Sequence, residues 1–183
     1  GALKQSTVMK SIHDRPKVVE TRSQAGHWEG DLIIGGAQRS AIATLVERKA
    51  RLTMLVPVRG GHSAQVVGDA LIAAFAQLPA GLRRTLTWDQ GNEMFHHARI
   101  EQATGLAIYF ADPHSPWQRG TNENTNGLLR QYFPKGADLN DVTDERLTQV
   151  ADELNNRPRI VLGDRTPAQL MRRWLQPPIR DDR

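Results

Sequence analysis

The sequence predicts an α/β domain: a mixed five-stranded sheet with flanking helices. Three observations lead there. Strand-like apolar runs follow one another closely at HWEGDLIIG (27–35), SAIATLVER (40–48) and RLTMLVPVR (51–59). Two more short β-forming runs, RTLTWD (84–89) and GLAIYF (105–110), then alternate with segments of helical period. The last third carries helix start and stop signals in place of strands. The resulting order is β-β-β-α-β-α-β-α-α, followed by one last short helix.

Each element has a local reason. Residues 1–26 are polar and lack a sustained period, so they are expected to form an arm or linker. The first three runs are joined by short turns such as Lys49-Ala50, which predicts an antiparallel meander. In SAQVVGDALIAAFAQL (63–78) the apolar residues Val66, Val67, Ala70, Leu71, Ala74, Phe75 and Leu78 fall on one stripe at helical spacing, and Pro79 with Gly81 stops the helix. MFHHARIEQAT (94–104) reads as a short helix between the fourth and fifth strands. Ser115-Pro116 has the form of an N-cap followed by proline in the first turn, opening a helix expected to reach about Tyr132, where Pro134 stops it. DERLTQVADELNN (144–156) is amphipathic, and TPAQLMRRWL (166–175) has its own Thr-Pro start. The domain is expected to span 27–175, with 176–183 as a tail.

Composition narrows the function. A chain of 183 residues is one domain by prior and long enough to bury about 70% of its unfolded surface. No apolar stretch approaches the ~18 residues of a membrane span, and the start does not resemble a secretory signal. Cysteine is absent, which excludes disulfides and thiolate zinc sites and fits a cytoplasmic protein. The six histidines have no zinc-like spacing, and His96 and His97, adjacent on a helix, point apart. A net charge of +4 is a weak pointer to nucleic acid by itself. It strengthens if several acids are neutralised by metal.

Three carboxylates carry the chemistry: Asp31 within the first strand, Asp89 at the end of the fourth, and Glu123 on the helix after Ser115. Brought together they would repel, unless a hard divalent cation with oxygen ligands sat among them. Each has a plainer alternative. Asp31 would pair with a base on a half-solvated strand, Asp89 would form an Asx turn in DQGN, and Glu123 would pair with Arg119 on a wet helix face. Arg119, Asn126 and Arg130 lie at helical spacing on the face of Glu123, a mixture suited to phosphate contacts. Glu29 and Glu93 are nearby acids read as supporting, Trp88 as a core residue and Trp117 as a base-stacking candidate.

With HWEGDLIIG, SAIATLVERKAR, RTLTWDQGNE, DPHSPWQRGTNENTNGLLRQYFPKG, ELNNRPR and TPAQLM in view, the chain resembles a bacterial DDE transposase of the IS-thirty insertion-sequence family from about His27 to Met171. The 33 residues between Asp89 and Glu123 match the spacing of that family. The resemblance implies a ribonuclease H-like, integrase-type fold and assigns Asp31, Asp89 and Glu123 as catalytic, metal-binding residues. It implies two Mg²⁺ ions, with Mn²⁺ as substitute, bridged by Asp31 and completed by Asp89 and Glu123. It further implies cleavage of double-stranded DNA at element ends and transfer of the 3′-hydroxyl into target DNA by a homodimer or higher multimer in the bacterial cytoplasm. Arg130, Arg119, Asn126, Trp117 and Lys135 are the expected DNA contacts. Family members carry an N-terminal helix-turn-helix region, and residues 1–26 do not supply two packed helices, so a catalytic core is expected. Two alternatives stand beside it: a plain nuclease on the same fold, and a non-catalytic DNA-binding or assembly module.

Overall fold

A computed structural model describes residues 8–175. The tail expected at 176–183 lies outside the described residues. The strands are β1 (His27–Ile34), β2 (Ala41–Glu47), β3 (Thr53–Val58), β4 (Thr85–Trp88) and β5 (Ala107–Phe110). The helices are α1 (Ala64–Ala76), α2 (His97–Thr104), α3 (Gly120–Leu129), α4 (Asp144–Asn155) and α5 (Pro167–Leu175). The sheet order is β3-β2-β1-β4-β5. β1, β2 and β3 form the expected antiparallel meander, while β4 and β5 run parallel to β1. Helical crossovers make the parallel pairs possible, as a strand returning in the same direction requires.

Period-two alternation along β1 sorts its side chains to opposite faces. Trp28 and Leu32 join a core with Leu71, Phe75, Trp88 and Ile100, covered by α1, α2 and α5. Ile33 joins a second core with Leu129, Leu147, Val150 and Leu154, covered by α3 and α4. Glu29 and Asp31 share the parity of Ile33, so they face α3. Between them, Gly30 is required by packing: a Cβ there would lie 2.2 Å from the ring of Trp88. Across the sheet, Trp28 meets Phe75 edge to face at 5.7 Å, and its indole N–H donates to the Leu82 carbonyl at 2.8 Å.

The described part of the N-terminal segment lies against the domain. Ile12, Arg15, Val19 and Ala25 are buried. The Phe110 amide donates to the Lys10 carbonyl at 2.8 Å, extending the sheet by one bridge. Short 3₁₀ turns at Ile12–Asp14 and Lys17–Val19 shape this stretch, which periodicity alone did not reveal. No helix among the described residues is long and apolar enough to cross a membrane.

The helix bearing Glu123 differs from expectation in three ways. Ser115 does not cap it; its hydroxyl donates to the Pro113 carbonyl at 3.3 Å. Pro116–Arg119 form a 3₁₀ turn before α3 begins at Gly120. The α-helix ends at Leu129 rather than near Tyr132, because the chain turns to bury Phe133 against Leu129 and Leu139, and a residue before proline disfavours helix. α3 is rich in Thr and Asn, poor helix formers. Two of them, Asn122 and Asn126, are there for their side chains, which bond to Thr44 and Asp31 of the sheet.

Candidate active site and its neighbours

Asp31 and Asp89 are brought together by strand register. β1 and β4 pair as His27↔Thr85, Trp28↔Leu86 and Glu29↔Thr87, and the same offset continued two residues sets Asp31 opposite Asp89. Asp31, in the middle of β1, therefore stands beside Asp89, the residue that follows β4, just past the paired stretch of two parallel strands, on the side where open α/β sheets gather their sites. Asp89 Oδ1 accepts from the Gly91 amide at 2.9 Å, the Asx turn its sequence suggests. Its other oxygen, Oδ2, faces Arg119.

The guanidinium of Arg119 lies between the two acids. Its Nη1 is 3.6 Å from Asp31 Oδ2, and its Nη2 is 3.6 Å from Asp89 Oδ2. The same Nη1 donates to the Gly30 carbonyl at 2.9 Å, while Nε is buried without a partner. Asp31 is held from the far side as well. Its Oδ1 accepts from the Leu32 amide at 2.8 Å and its Oδ2 from Asn126 Nδ2 at 3.2 Å. Burial nevertheless raises its pKa; Arg119 and the Leu32 amide oppose that rise, and Asp89 and Glu93 add to it. A carboxylate in such surroundings gains from a nearby positive charge.

Glu123 is exposed on the first turn of α3 and borders a small cavity of about 150 Å³ with Asp31, Arg119, Pro116 and Asn122. α3 is stitched to the sheet beneath this cavity. Thr44 Oγ1 donates to Asn126 Oδ1 at 2.9 Å, and Asn122 Nδ2 reaches Thr44 Oγ1 at 3.2 Å. Fully buried Glu29 accepts the Asn122 amide at 2.8 Å and pairs with Arg48 at 2.5 Å. Glu93 accepts the indole N–H of Trp88 at 3.1 Å. Both acids thus support the site's framework, as expected.

The remaining expected residues are dispersed. Trp117 is 72% exposed in the turn before α3. Lys135 is exposed just after Pro134. Arg130 caps the end of α3, its guanidinium 3.4 Å from the carbonyls of Phe133 and Ile34. Arg119 and Asn126 point at the carboxylates. The role of Arg119 was missed in the sequence because helical spacing was counted through a 3₁₀ turn. A buried cluster of arginines around Glu29 was missed too; its only signal was that Glu29 precedes Asp31 by two, hence shares its face.

Residues 22–116 match the Integrase core domain family. The chain belongs to that family. Over 164 residues it is 51% identical to the transposase InsI for insertion sequence element IS30A of Escherichia coli K12, covering 90% of this chain and 42% of the relative. Over 170 residues it is 50% identical to the transposase for insertion sequence element IS1086 of Cupriavidus metallidurans CH34, covering 93% and 50%. This integrase core domain thus spans about half the length of the relatives it matches. Its fold is that of a chain in the cryo-EM structure of a simian T-cell lymphotropic virus intasome in complex with PP2A regulatory subunit B56 gamma, with a TM-score of 0.64 at 20% identity over 97% of this chain and 64% of that one. The ribonuclease H-like, integrase-type fold expected from the sequence is therefore correct.

Integrase core domains use divalent metal ions. Among the described residues, no three His, Asp or Glu side chains stand close enough together to hold one. The donor chemistry nonetheless fits: all three acids offer oxygen, which suits a hard cation. The Arg119 guanidinium, flanked by two carboxylates, marks the spot where positive charge is wanted.

Proposed function

We propose that this domain is the catalytic core of a DDE transposase, a polynucleotidyl transferase that cleaves DNA at insertion-sequence ends and joins the freed 3′-hydroxyl to target DNA. One observation carries the reading: carboxylates on two neighbouring strands flank a single, largely inaccessible guanidinium, and Glu123 borders the cavity that Asp31 and Arg119 line. Asp31, Asp89 and Glu123 would hold two Mg²⁺ ions, or Mn²⁺ in their place. The bound ions would activate the attacking water or 3′-hydroxyl and stabilise the leaving 3′-oxygen.

The chain's own residues prepare the site. Asn126 and the Leu32 amide fix the orientation of Asp31, and the Asx turn fixes Asp89. Arg119, released from the acids, would offer its guanidinium to a phosphate at this site. A guanidinium suits that role through its paired donors. Arg130, Asn126, Trp117 and Lys135 lie on or next to α3 and would meet the flanking duplex. The working form in the bacterial cytoplasm is a homodimer or higher multimer on double-stranded DNA.

Asp31→Asn, Asp89→Asn and Glu123→Gln keep volume and remove ligand charge. Each is expected to abolish Mn²⁺-dependent nicking of an element-end duplex while leaving duplex binding intact. Near-normal nicking by any one of them would remove that residue from the site. A pre-cut end offered with a target plasmid separates transferase from plain nuclease, since only the former yields joined product.

A further inference from the structure

On the other side of the start of α3 lies a cavity of about 650 Å³. The turn residues Trp117 and Gln118 and the helix residues Thr121 and Asn124 line it, whereas Pro116, Arg119, Asn122 and Glu123 line the carboxylate cavity. The two openings therefore share a wall and no lining residue.

The larger cavity is unusually rich in guanidinium. Five arginines line it against two glutamates. Arg15 and Arg48 are matched, the first to Glu20 and the second to Glu29. Among the described residues, Arg22, Arg51 and Arg159 make no ion pair. Each has one neutral acceptor instead: the Arg48 carbonyl at 3.1 Å, Thr121 Oγ1 at 2.6 Å and the Leu154 carbonyl at 3.0 Å, respectively. Nε of Arg51, of Arg159 and of the nearly inaccessible Arg15 is buried with no acceptor at all. Arg22 and Arg51 also adopt left-handed backbone, with φ of 54° and 63°, where side-chain-bearing residues are disfavoured.

Burial first, then Arg48 and Arg51, pushes Arg22 down to about 10. Burial likewise lowers Arg51 and Arg159. All remain cations at neutral pH, so folding concentrates an excess of positive charge here that Glu20, Glu29 and Glu47 only partly offset. Buried charge without a counter-charge costs stability, so an excess of arginine over acid is poorly explained by stability alone.

We infer that this cavity is a second phosphate site, taking a backbone phosphate of DNA outside the cleaved bond on Arg22, Arg51 and Arg159. It rests on the reading of the domain as DNA-binding. Two features favour a strand over a free ion. The volume far exceeds one phosphate, and the rim carries exposed Trp117 and Val161, each 72% exposed, flat apolar surface suited to a base or sugar.

The test compares wild type with Arg22→Gln/Arg159→Gln and Arg22→Lys/Arg159→Lys by anisotropy of a labelled duplex across salt. Losing two phosphate contacts is expected to flatten the log–log slope by about 1.8, so that from 50 to 200 mM salt the wild type loses about 12-fold more affinity than the glutamine variant. The lysine variant is expected to keep the wild-type slope. Melting supplies a second readout: neutralising unmatched cations is expected to leave Tm unchanged or raise it. An unchanged slope with a lowered Tm would make the arginines structural and overturn the inference. An unchanged slope together with phosphate-induced stabilisation of the wild type alone would assign a free anion and equally overturn it. A wild type that binds no duplex at any salt would instead sink the DNA reading itself.

Discussion

Replacing Arg119 by glutamine tests whether its guanidinium stands where a metal belongs. Two ion pairs at 3.6 Å are lost. At an effective dielectric near 20, each is worth about 4–5 kcal/mol of bare attraction. Most of that is offset by desolvation, and the Asp89 side chain is 44% exposed, so about 1 kcal/mol per pair is the realistic net. Glutamine retains a donor for the Gly30 carbonyl. The metal-free variant is therefore expected to be less stable by about 2 kcal/mol, which lowers Tm by about 4–8 °C in a domain of this size. If wild-type metal binding must displace the guanidinium, the same 2 kcal/mol appears as tighter Mn²⁺ binding by the variant, about 30-fold. Calorimetric melting over a Mn²⁺ titration measures both. The deficit is expected to close as Mn²⁺ saturates. A deficit that persists at every Mn²⁺ concentration, or an unchanged Mn²⁺ midpoint, would refute the reasoning.

Asp31, its pKa raised by burial, binds more protons folded than unfolded just above the ordinary carboxylate range. Metal-free stability should therefore fall as pH rises through that window, and urea melts of Asp31→Asn should lack this component. His27 works in the opposite sense. Burial first, then the nearby Arg84, Arg15 and Arg48, lowers it to about 4, and Thr85 and Gln24 satisfy the neutral ring at 2.8 and 2.6 Å. The unfolded chain binds the extra proton between pH ~6.5 and ~4, so stability should drop on acidification through that range, less steeply in His27→Gln. Gly30→Ala drives a methyl into the Trp88 ring and should cost about 3 kcal/mol, the upper part of the over-packing range, read as a lower urea midpoint. A midpoint within error of wild type would mean the ring can move aside.

Much of this fold was legible because its elements are short and strongly patterned. The meander, the Phe75 stripe of α1 and the alternation of strand with helix all follow from local periodicity. The acids were legible as residues but less so as a geometry. WEGD and LTWD each end on aspartate, and in-register pairing of β1 with β4 sets the two endings side by side. Pairing is a long-range choice that no local window contains. The start of α3 was misjudged because Ser115-Pro116 has the form of a cap while its hydroxyl serves Pro113. Arg22, Arg51 and Arg159 are scattered through the chain and meet only when the N-terminal segment folds back. Nothing in their immediate neighbours announces it.

The register shared by β1 and β4 has a consequence for how such a site can change. Adjacent strands stand about 4.7–4.9 Å apart, so the separation of Asp31 and Asp89 is inherited from the backbone. Sliding one strand by a single residue would turn its acid to the wrong face. Insertions between Asp89 and α3 leave that pair untouched. Variation in the geometry of this carboxylate cluster must therefore come from the helical side, through Arg119 and Glu123. The sheet is the fixed jaw of this site, and α3 with its preceding turn is the adjustable one.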